Sequence, residues 1–345
     1  MRDRSRGVAT GLAFAAALAT PADRAPRSEP MDAPRVRALG VSGVERPASA
    51  AGVRVEREAI LMGTRLVVRV EAPSRDAGSE AIERVFEAVA AAEDVLSTWR
   101  DDTELARVNH APPGRATPVS ARLFGWLSDA WSWSCQTAGA FDPVVGALVD
   151  AWDLRGEGRE PDARERRAAL SRAGRRCFEL GGAGSHVTRR CPGAWIDSGG
   201  FGKGAGLGEA AATLRSAMAG WGGGSAVLDF GGQLLFVGEP PRGGGWPVAI
   251  AHPAERTRPL FRLVVVGGSL ATSGQSERGV VIGGERRGHV IDPRTGEPVP
   301  AWGSVTVRAD DPLAADALAT ALLVLGPERG LRWLAGRPDV EAVFL

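Results

Sequence analysis

Between Ser225 and Val307 the chain is a succession of short apolar runs, AVLDF, LLFVG, PVAIA, LFRLVVV, GVVIG and HVID, most of them bounded by glycine or proline. Runs of this length are strand-sized, and strands that follow one another without helices between them pair mostly antiparallel. Forty-six glycines among 345 residues, about twice the ordinary share of ~7%, supply the tight turns such a sheet needs and argue against a helical bundle. Upstream, Val53 to Arg69 alternates as two strands broken at Met62, Gly63 and Thr64. Helical periodicity predicts a helix over Ser79–Ser97, with Ile82, Val85, Phe86, Val89 and Leu96 on one stripe. A second runs over Ser120–Cys135 with Ser120 as N-cap, and a third starts near Lys203 and buries Leu207, Ala211, Leu214 and Met218. Two more, Leu313–Leu325 and Glu328–Leu334, precede a strand at Val340–Phe344. No 20- to 50-residue period repeats, so the expected fold is α+β, with mixed, mostly antiparallel sheets, flanking helices and large insertions.

Three arginines in Met1–Arg6, an apolar stretch at Gly7–Leu18 and the small residues Ala17, Leu18 and Ala19 have the form of a secretory signal peptide over residues 1–19. That apolar stretch is shorter than the ~20 residues a membrane span requires. Residues 20–52 are rich in Pro, Ala, Arg and Ser without an aromatic and read as a disordered linker. The folded domain is expected over residues 53–345, exported to the periplasm or the extracytoplasmic face of the membrane and soluble after cleavage. Lys+Arg at 42 against Asp+Glu at 41 leaves a net charge of +1, which gives no global field for nucleic acid or an anionic membrane. Of the three cysteines, Cys177 and Cys191 bracket a glycine-rich stretch suited to a hairpin, where they either form a disulfide or stay two buried thiols. The spacing of cysteines and histidines offers no structural zinc site.

Five segments carry polar chemistry. Trp195–Gly204 (WIDSGGFGKG) is a strand end, a glycine turn and a helix start, where main-chain N–H groups and Lys203 can approach a phosphate, although it matches neither common dinucleotide nor P-loop spacing. Lys203 is the only lysine and Asn109 the only asparagine of the chain, and tyrosine is absent. Asp316 and Thr320 stand four apart on one helix face, where a carboxylate and a hydroxyl suit a hard cation such as Mg²⁺. His289–Gly296 (HVIDPRTG) puts an imidazole at a strand end as a candidate general base, with Asp292 orienting it or a backbone turn. Thr137–Pro143 (TAGAFDP) and Ala271–Gly274 (ATSG) read as turns with polar handles.

In order along the chain, MGT at 62–64, LSTW to RVN at 96–109, TAGAFDP at 137–143, IDSGGFGKG at 196–204, LDFGGQLLFVG at 228–238, ATSG at 271–274, HVIDPRTGEPV at 289–299 and ADALATALLVLG at 315–326 resemble the ApbE family. These are T-fold-related flavin transferases that move FMN from FAD onto a threonine of an acceptor protein. The resemblance implies FAD contacts from Met62, Trp99, Ala140, Phe141, Asp142, Asp197, Lys203 and Ile291. It implies a Mg²⁺ site from Asp316, Thr320 and the Gly200 carbonyl, and His289 deprotonating the acceptor hydroxyl with Asp292 beside it. FAD would be substrate and Mg²⁺ cofactor; the acceptor would be a membrane redox subunit or a periplasmic flavoprotein. Ser198, Trp99, Gln233 and Ser276 depart from the family's usual leucine, tyrosine, acidic residue and aromatic or polar residue.

Two other readings fit these residues. One is a protein of the same fold that retains or hydrolyses FAD without transfer. The other is a secreted serine hydrolase built on Ser269 or Ser273, for which GGSLA at 267–271 is a poor nucleophile elbow because its second glycine is missing.

Overall fold

The computed structural model describes residues 52–345, apart from 182–183, 241–243, 256, 275–278 and 283. The expected signal peptide, nearly all of the expected linker and Ser276 lie outside the described residues. The chain opens with β1 (Val53–Leu61) and β2 (Thr64–Ala72), followed by α1 (Arg75–Leu96), α2 (Glu104–His110), β3 (Ala116–Pro118) and α3 (Ala121–Gln136). Next come α4 (Gly146–Ala151), α5 (Ala163–Ser171), the hairpin of β4 (Phe178–Gly181) and β5 (His186–Arg189), and α6 (Gly202–Trp221). The strand-rich stretch holds β6 (Ser225–Phe230), β7 (Gln233–Gly238), β8 (Trp246–Ala251), β9 (Pro259–Val265) and β10 (Gly268–Gly274). It continues with β11 (Gly279–Ile282), β12 (Glu285–Gly288), β13 (Ile291–Asp292), β14 (Glu297–Pro298) and β15 (Ser304–Ala309) before α7 (Pro312–Leu334) and β16 (Glu341–Phe344).

Seven strands form one antiparallel sheet in the order β1-β2-β6-β7-β10-β15-β16. Alternation along β2 and β6 sends Leu66, Val68, Val70, Ala226, Leu228 and Phe230 to one face, where α1 and α6 cover them with Ile82, Val85, Leu207 and Leu214. Farther along the same sheet Val305 and Val307 of β15 meet Ala315, Leu318 and Leu322 of α7. The β8–β9 hairpin covers a second apolar patch, placing Trp246, Val248 and Ile250 against Phe236 and Leu270. This is the α+β architecture expected from the strand runs.

Several expectations are corrected in detail. Helix α1 starts four residues earlier than its apolar stripe suggests, because Ser74 caps it through Ala77 N–H and Gly78 packs against Val55 and Ala72 without a side chain in the way. Residues 271–274 are no turn; they end β10, paired with β15 throughout and with β7 at Ala271. These small residues are extended because the β15 ladder continues through all four of them, and such tertiary pairing outweighs local turn signals. Of HVID only Ile291 and Asp292 are strand, and His289 lies in a bend directly after β12. The expected break at residue 326 is present: Gly326 has φ 72° and Pro327 follows within α7. Cys177 and Cys191 are joined as a disulfide flanking β4–β5, and Cys135 is a free, exposed thiol.

Candidate active site

The glycine turn is held rigidly before it begins. Asn109 accepts the Ile196 N–H at 2.8 Å and donates to the Ile196 carbonyl at 2.9 Å, so one buried amide replaces a strand partner. Ser198 donates to the Leu96 carbonyl at 2.8 Å and Asp197 N–H to the Pro143 carbonyl at 2.8 Å. Helix α6 then begins without a side-chain cap. Its first turn meets the first turn of α7 backbone to backbone, because a Cβ on Gly204 would lie 2.4 Å from the Pro312 carbonyl oxygen.

That contact assembles the hard-oxygen cluster. Asp316, 7% exposed, accepts the Lys203 ammonium at 3.0 Å on Oδ1 and the Gly204 N–H at 3.1 Å on Oδ2. Thr320, one turn on, lies with its Oγ1 3.5 Å from where a Gly200 Cβ would be, and the Phe141 ring edge is 3.1 Å from the same point. A side chain at residue 200 would fill the space between the hydroxyl and the turn. The Thr320 hydroxyl leans on the Asp316 carbonyl at 3.4 Å, which leaves its lone pairs available. Carboxylate, hydroxyl and main-chain carbonyl are the donors Mg²⁺ prefers. Among the described residues no group of three or more His, Cys, Asp or Glu offers a rival metal site. The residues present therefore fit Mg²⁺.

A second cluster lies at the start of the same turn. The Arg155 guanidinium sits over Trp99 at 4.6 Å and over Trp195 at 4.5 Å from the ring centroids. It donates to Thr98 O at 2.9 Å, Thr98 Oγ1 at 2.6 Å and Asp197 Oδ2 at 3.0 Å. Trp195 is fixed because Gly146 lets its indole lie flat on α4 and because its Nε1 donates to Asp150 at 2.7 Å. Trp99 remains 72% exposed, a large aromatic face open to a planar ligand.

The TAGAFDP loop joins these clusters to the 289–296 turn. Ala140 and Phe141 are buried, and Asp142 accepts from Ser134 Oγ, Val144 N–H and Arg175 N–H at 2.9–3.0 Å. Burial pushes the Asp142 carboxyl above the ordinary Asp range, more than these hydrogen bonds lower it. A cavity of about 350 Å³ lined by Gly139, Asp142, Leu170, Gly174, Arg176, Pro293 and Arg294 opens there. Asp292 binds Arg294 through both carboxylate oxygens and caps its own turn, and this pairing keeps the Arg294 guanidinium firmly protonated. Ile291 is buried against Leu148 and Trp152. Half-buried His289 is followed by Val290, which packs against the clusters containing Phe141, Phe201 and α7. Met62 adopts φ 47° in the β1–β2 turn, donates its N–H to Glu93 at 2.8 Å, and rests its thioether against Gly206 of α6. A non-glycine residue held in this region is costly and marks a constrained site.

Sequence reasoning missed Arg155, one arginine among many, and the bridging roles of Thr98 and Asn109. Asn109 had a signal, as the only asparagine of the chain; Arg155 had none. Gln233 is buried and donates to Pro312 O and Ser269 Oγ, so its amide ties β7 to the start of α7. Ser269 is fully buried with its hydroxyl donated to Leu234 O, which removes it as a nucleophile. Ser273 lies in the same strand, paired opposite Val305.

The ApbE family model matches residues 62–344. The FAD:protein FMN transferase of Klebsiella pneumoniae (strain 342) is 33% identical over 298 residues, which cover 84% of this chain and 84% of that protein. The protein of the same name from Treponema pallidum (strain Nichols) is 32% identical over 309 residues, covering 84% and 83%. The crystal structure of the ApbE protein from Thermotoga maritima superposes with a TM-score of 0.78 at 25% identity, over 84% of this chain and 93% of the other. The flavin transferase ApbE from Vibrio cholerae gives 0.69 at 27% identity, over 84% and 93%. A match running from the β1–β2 turn to the last strand takes in every element that builds the site, and the chain belongs to the ApbE family.

Proposed function

We propose that this protein is an exported, Mg²⁺-dependent FAD:protein FMN transferase. The acceptor threonine's hydroxyl oxygen attacks the FMN phosphorus of FAD, the bond from that phosphorus to the bridging oxygen breaks, and AMP leaves with that oxygen. The observation that carries the reading is the meeting of Asp316, Thr320 and Gly200 beside Lys203 at the mouth of the glycine turn. A Mg²⁺ held by Asp316, Thr320 and the Gly200 carbonyl would supply charge neutralisation on the pyrophosphate. Lys203 binds the phosphates, and Trp99, backed by Arg155, presents its face to a ring of the dinucleotide. His289 takes the proton from the acceptor hydroxyl. The Cys177–Cys191 disulfide accords with an oxidising compartment and with removal of residues 1–19 on export.

The test is incubation of the purified protein with FAD, Mg²⁺ and threonine-bearing candidate acceptors. Transfer predicts AMP release in step with a fluorescent covalent flavin on the acceptor, both lost in Asp316→Ala while that variant still melts cooperatively, at a temperature lowered by the unsatisfied Gly204 N–H. Stoichiometric FAD retention, or AMP release without labelling, would establish instead the binding or hydrolysing protein of the same fold. N-terminal sequencing of the secreted form is expected to start at Thr20; an intact Met1 would rule out cleavage.

A further inference from the structure

Both oxygens of the Asp316 carboxylate are already engaged by the protein, one by the Lys203 ammonium at 3.0 Å and one by the Gly204 N–H at 3.1 Å. Each oxygen keeps a lone pair for a metal, but a divalent cation on either one would share the small carboxylate with the Lys203 ammonium. Two cations that close repel strongly, so one of the two bound groups gives way. The Gly204 N–H cannot yield, because the backbones of α6 and α7 are in contact at that point. Lys203 can: its side chain is 28% exposed and rides on a flexible four-carbon stem. The geometry points to Lys203 as a resident counter-ion that the metal must displace from Asp316, with the pyrophosphate of the nucleotide receiving the displaced ammonium. The nucleotide half of this inference rests on the transferase reading above; the displacement half does not.

The physical chemistry is that of a three-way exchange. A buried carboxylate left without a partner is strongly unfavourable, so Lys203 keeps the empty site neutral. A metal arriving alone gains Asp316 but breaks that ion pair and sends the ammonium to water. When a nucleotide is present, the freed ammonium meets phosphate oxygens and the metal meets the same phosphates, so each ligand lowers the cost of the other. Linkage makes the effect reciprocal: whatever factor the nucleotide adds to metal affinity, the metal adds to nucleotide affinity. A compact ammonium that exchanges partners suits this role better than a guanidinium locked in a fork, in a chain whose other basic side chains are arginine.

The experiment measures Mn²⁺ binding to the mature chain by the signal of the free ion, without nucleotide and with saturating FAD. It compares the parent, Lys203→Met, Lys203→Gln, Arg155→Met and Asp316→Ala, each checked for its thermal melt. For the parent, FAD is expected to raise Mn²⁺ affinity by roughly tenfold or more. Both Lys203 variants are expected to bind Mn²⁺ alone about tenfold more tightly than the parent and to gain much less from FAD. Arg155→Met, which removes a cation paired with Asp197, is expected to match the parent for Mn²⁺ alone, and Asp316→Ala to lose the site. Equal or weaker Mn²⁺ binding in both Lys203 variants, with Asp316→Ala still abolishing it, overturns the displacement and leaves the transferase reading intact. Tightening in Arg155→Met as large as in the Lys203 variants overturns it too, since net charge alone would then account for the effect. Mn²⁺ binding unaffected by Asp316→Ala overturns both the displacement and the metal site. Tighter Mn²⁺ binding in the Lys203 variants without any FAD binding keeps the displacement and rejects the nucleotide half.

Discussion

The roles proposed for His289 and Arg155 are separable by experiment. His289→Asn should lower transfer by roughly 100- to 10,000-fold with little change in FAD affinity, since a general base acts on the moving proton and not on the bound ground state. Single-turnover rates beside a fluorescence titration of FAD check this, and a parallel loss of affinity would make His289 a binding residue. Arg155→Lys keeps the charge and loses the plane between Trp99 and Trp195. It should weaken FAD binding by about 1 kcal/mol, roughly fivefold in Kd, and an unchanged titration curve would contradict this. Asp142 gives a pH signature. Its carboxyl is raised by burial above the usual 3.8, so its contribution to stability is full below that value and is lost as pH rises through the folded value. Asp142→Asn cannot satisfy all three donors and should cost about 1–3 kcal/mol. That deficit in the thermal melt should be larger near pH 4 than near pH 7, because only the parent loses stability on ionising. A deficit constant with pH would mean that folding leaves the proton affinity of this carboxyl unchanged, and one larger near pH 7 would place the ionised carboxylate in a favourable setting. Residue by residue, the sequence exposed what is rare or patterned: Lys203, the Asp316–Thr320 pair and the glycines. It hid Arg155, because a bridging role depends on two tryptophans 96 positions apart in sequence, at 99 and 195, meeting in space.

Among the elements, α6 and α7 decide the site, and the absence of a Cβ at Gly204 decides how closely they approach. Gly204→Ala would place a methyl 2.4 Å from a main-chain oxygen that has no room to move. The expected cost is about 3 kcal/mol, the upper end for overpacking, together with loss of the Gly204–Asp316 hydrogen bond and weakened Mg²⁺-dependent turnover. Parallel melts and Mg²⁺ titrations test it; wild-type values for both would mean that the helices separate freely. Helices were the legible elements because their burial repeats at a period that residues alone reveal, as Leu207, Ala211, Leu214 and Met218 show. β10 was not legible. Its residues are small and polar, and what makes them a strand is the pairing with β7 on one side and β15 on the other. For the same reason α2, seven residues capped by Thr103, escaped a reading based on apolar periodicity.

For the molecule as a whole, the disulfide is the covalent constraint on the β4–β5 hairpin that it flanks. Its cysteines are 14 residues apart, and on the loop-entropy estimate closing such a loop contributes about 3 kcal/mol. Reduction, or Cys177→Ala with Cys191→Ala, should lower the unfolding free energy by up to about that amount; an unchanged denaturation midpoint would mean that β4–β5 is held by its other contacts.

The order of strands across the sheet bears on how the active site comes to exist in time. Lys203 and Asp316 are 113 positions apart in the chain, and Asn109 reaches Ile196 across 87. Contacts of such sequence separation form only after large loops have closed, and chains that depend on them fold slowly. Lys203 meets Asp316 only when α6 docks on α7, and α7 comes after all but one of the sheet's strands. A nascent chain leaving a channel N-terminus first therefore carries the glycine turn outside well before its carboxylate partner emerges. Catalytic competence is thus a late property of the polypeptide, appearing with complete folding and not with any early fragment of it.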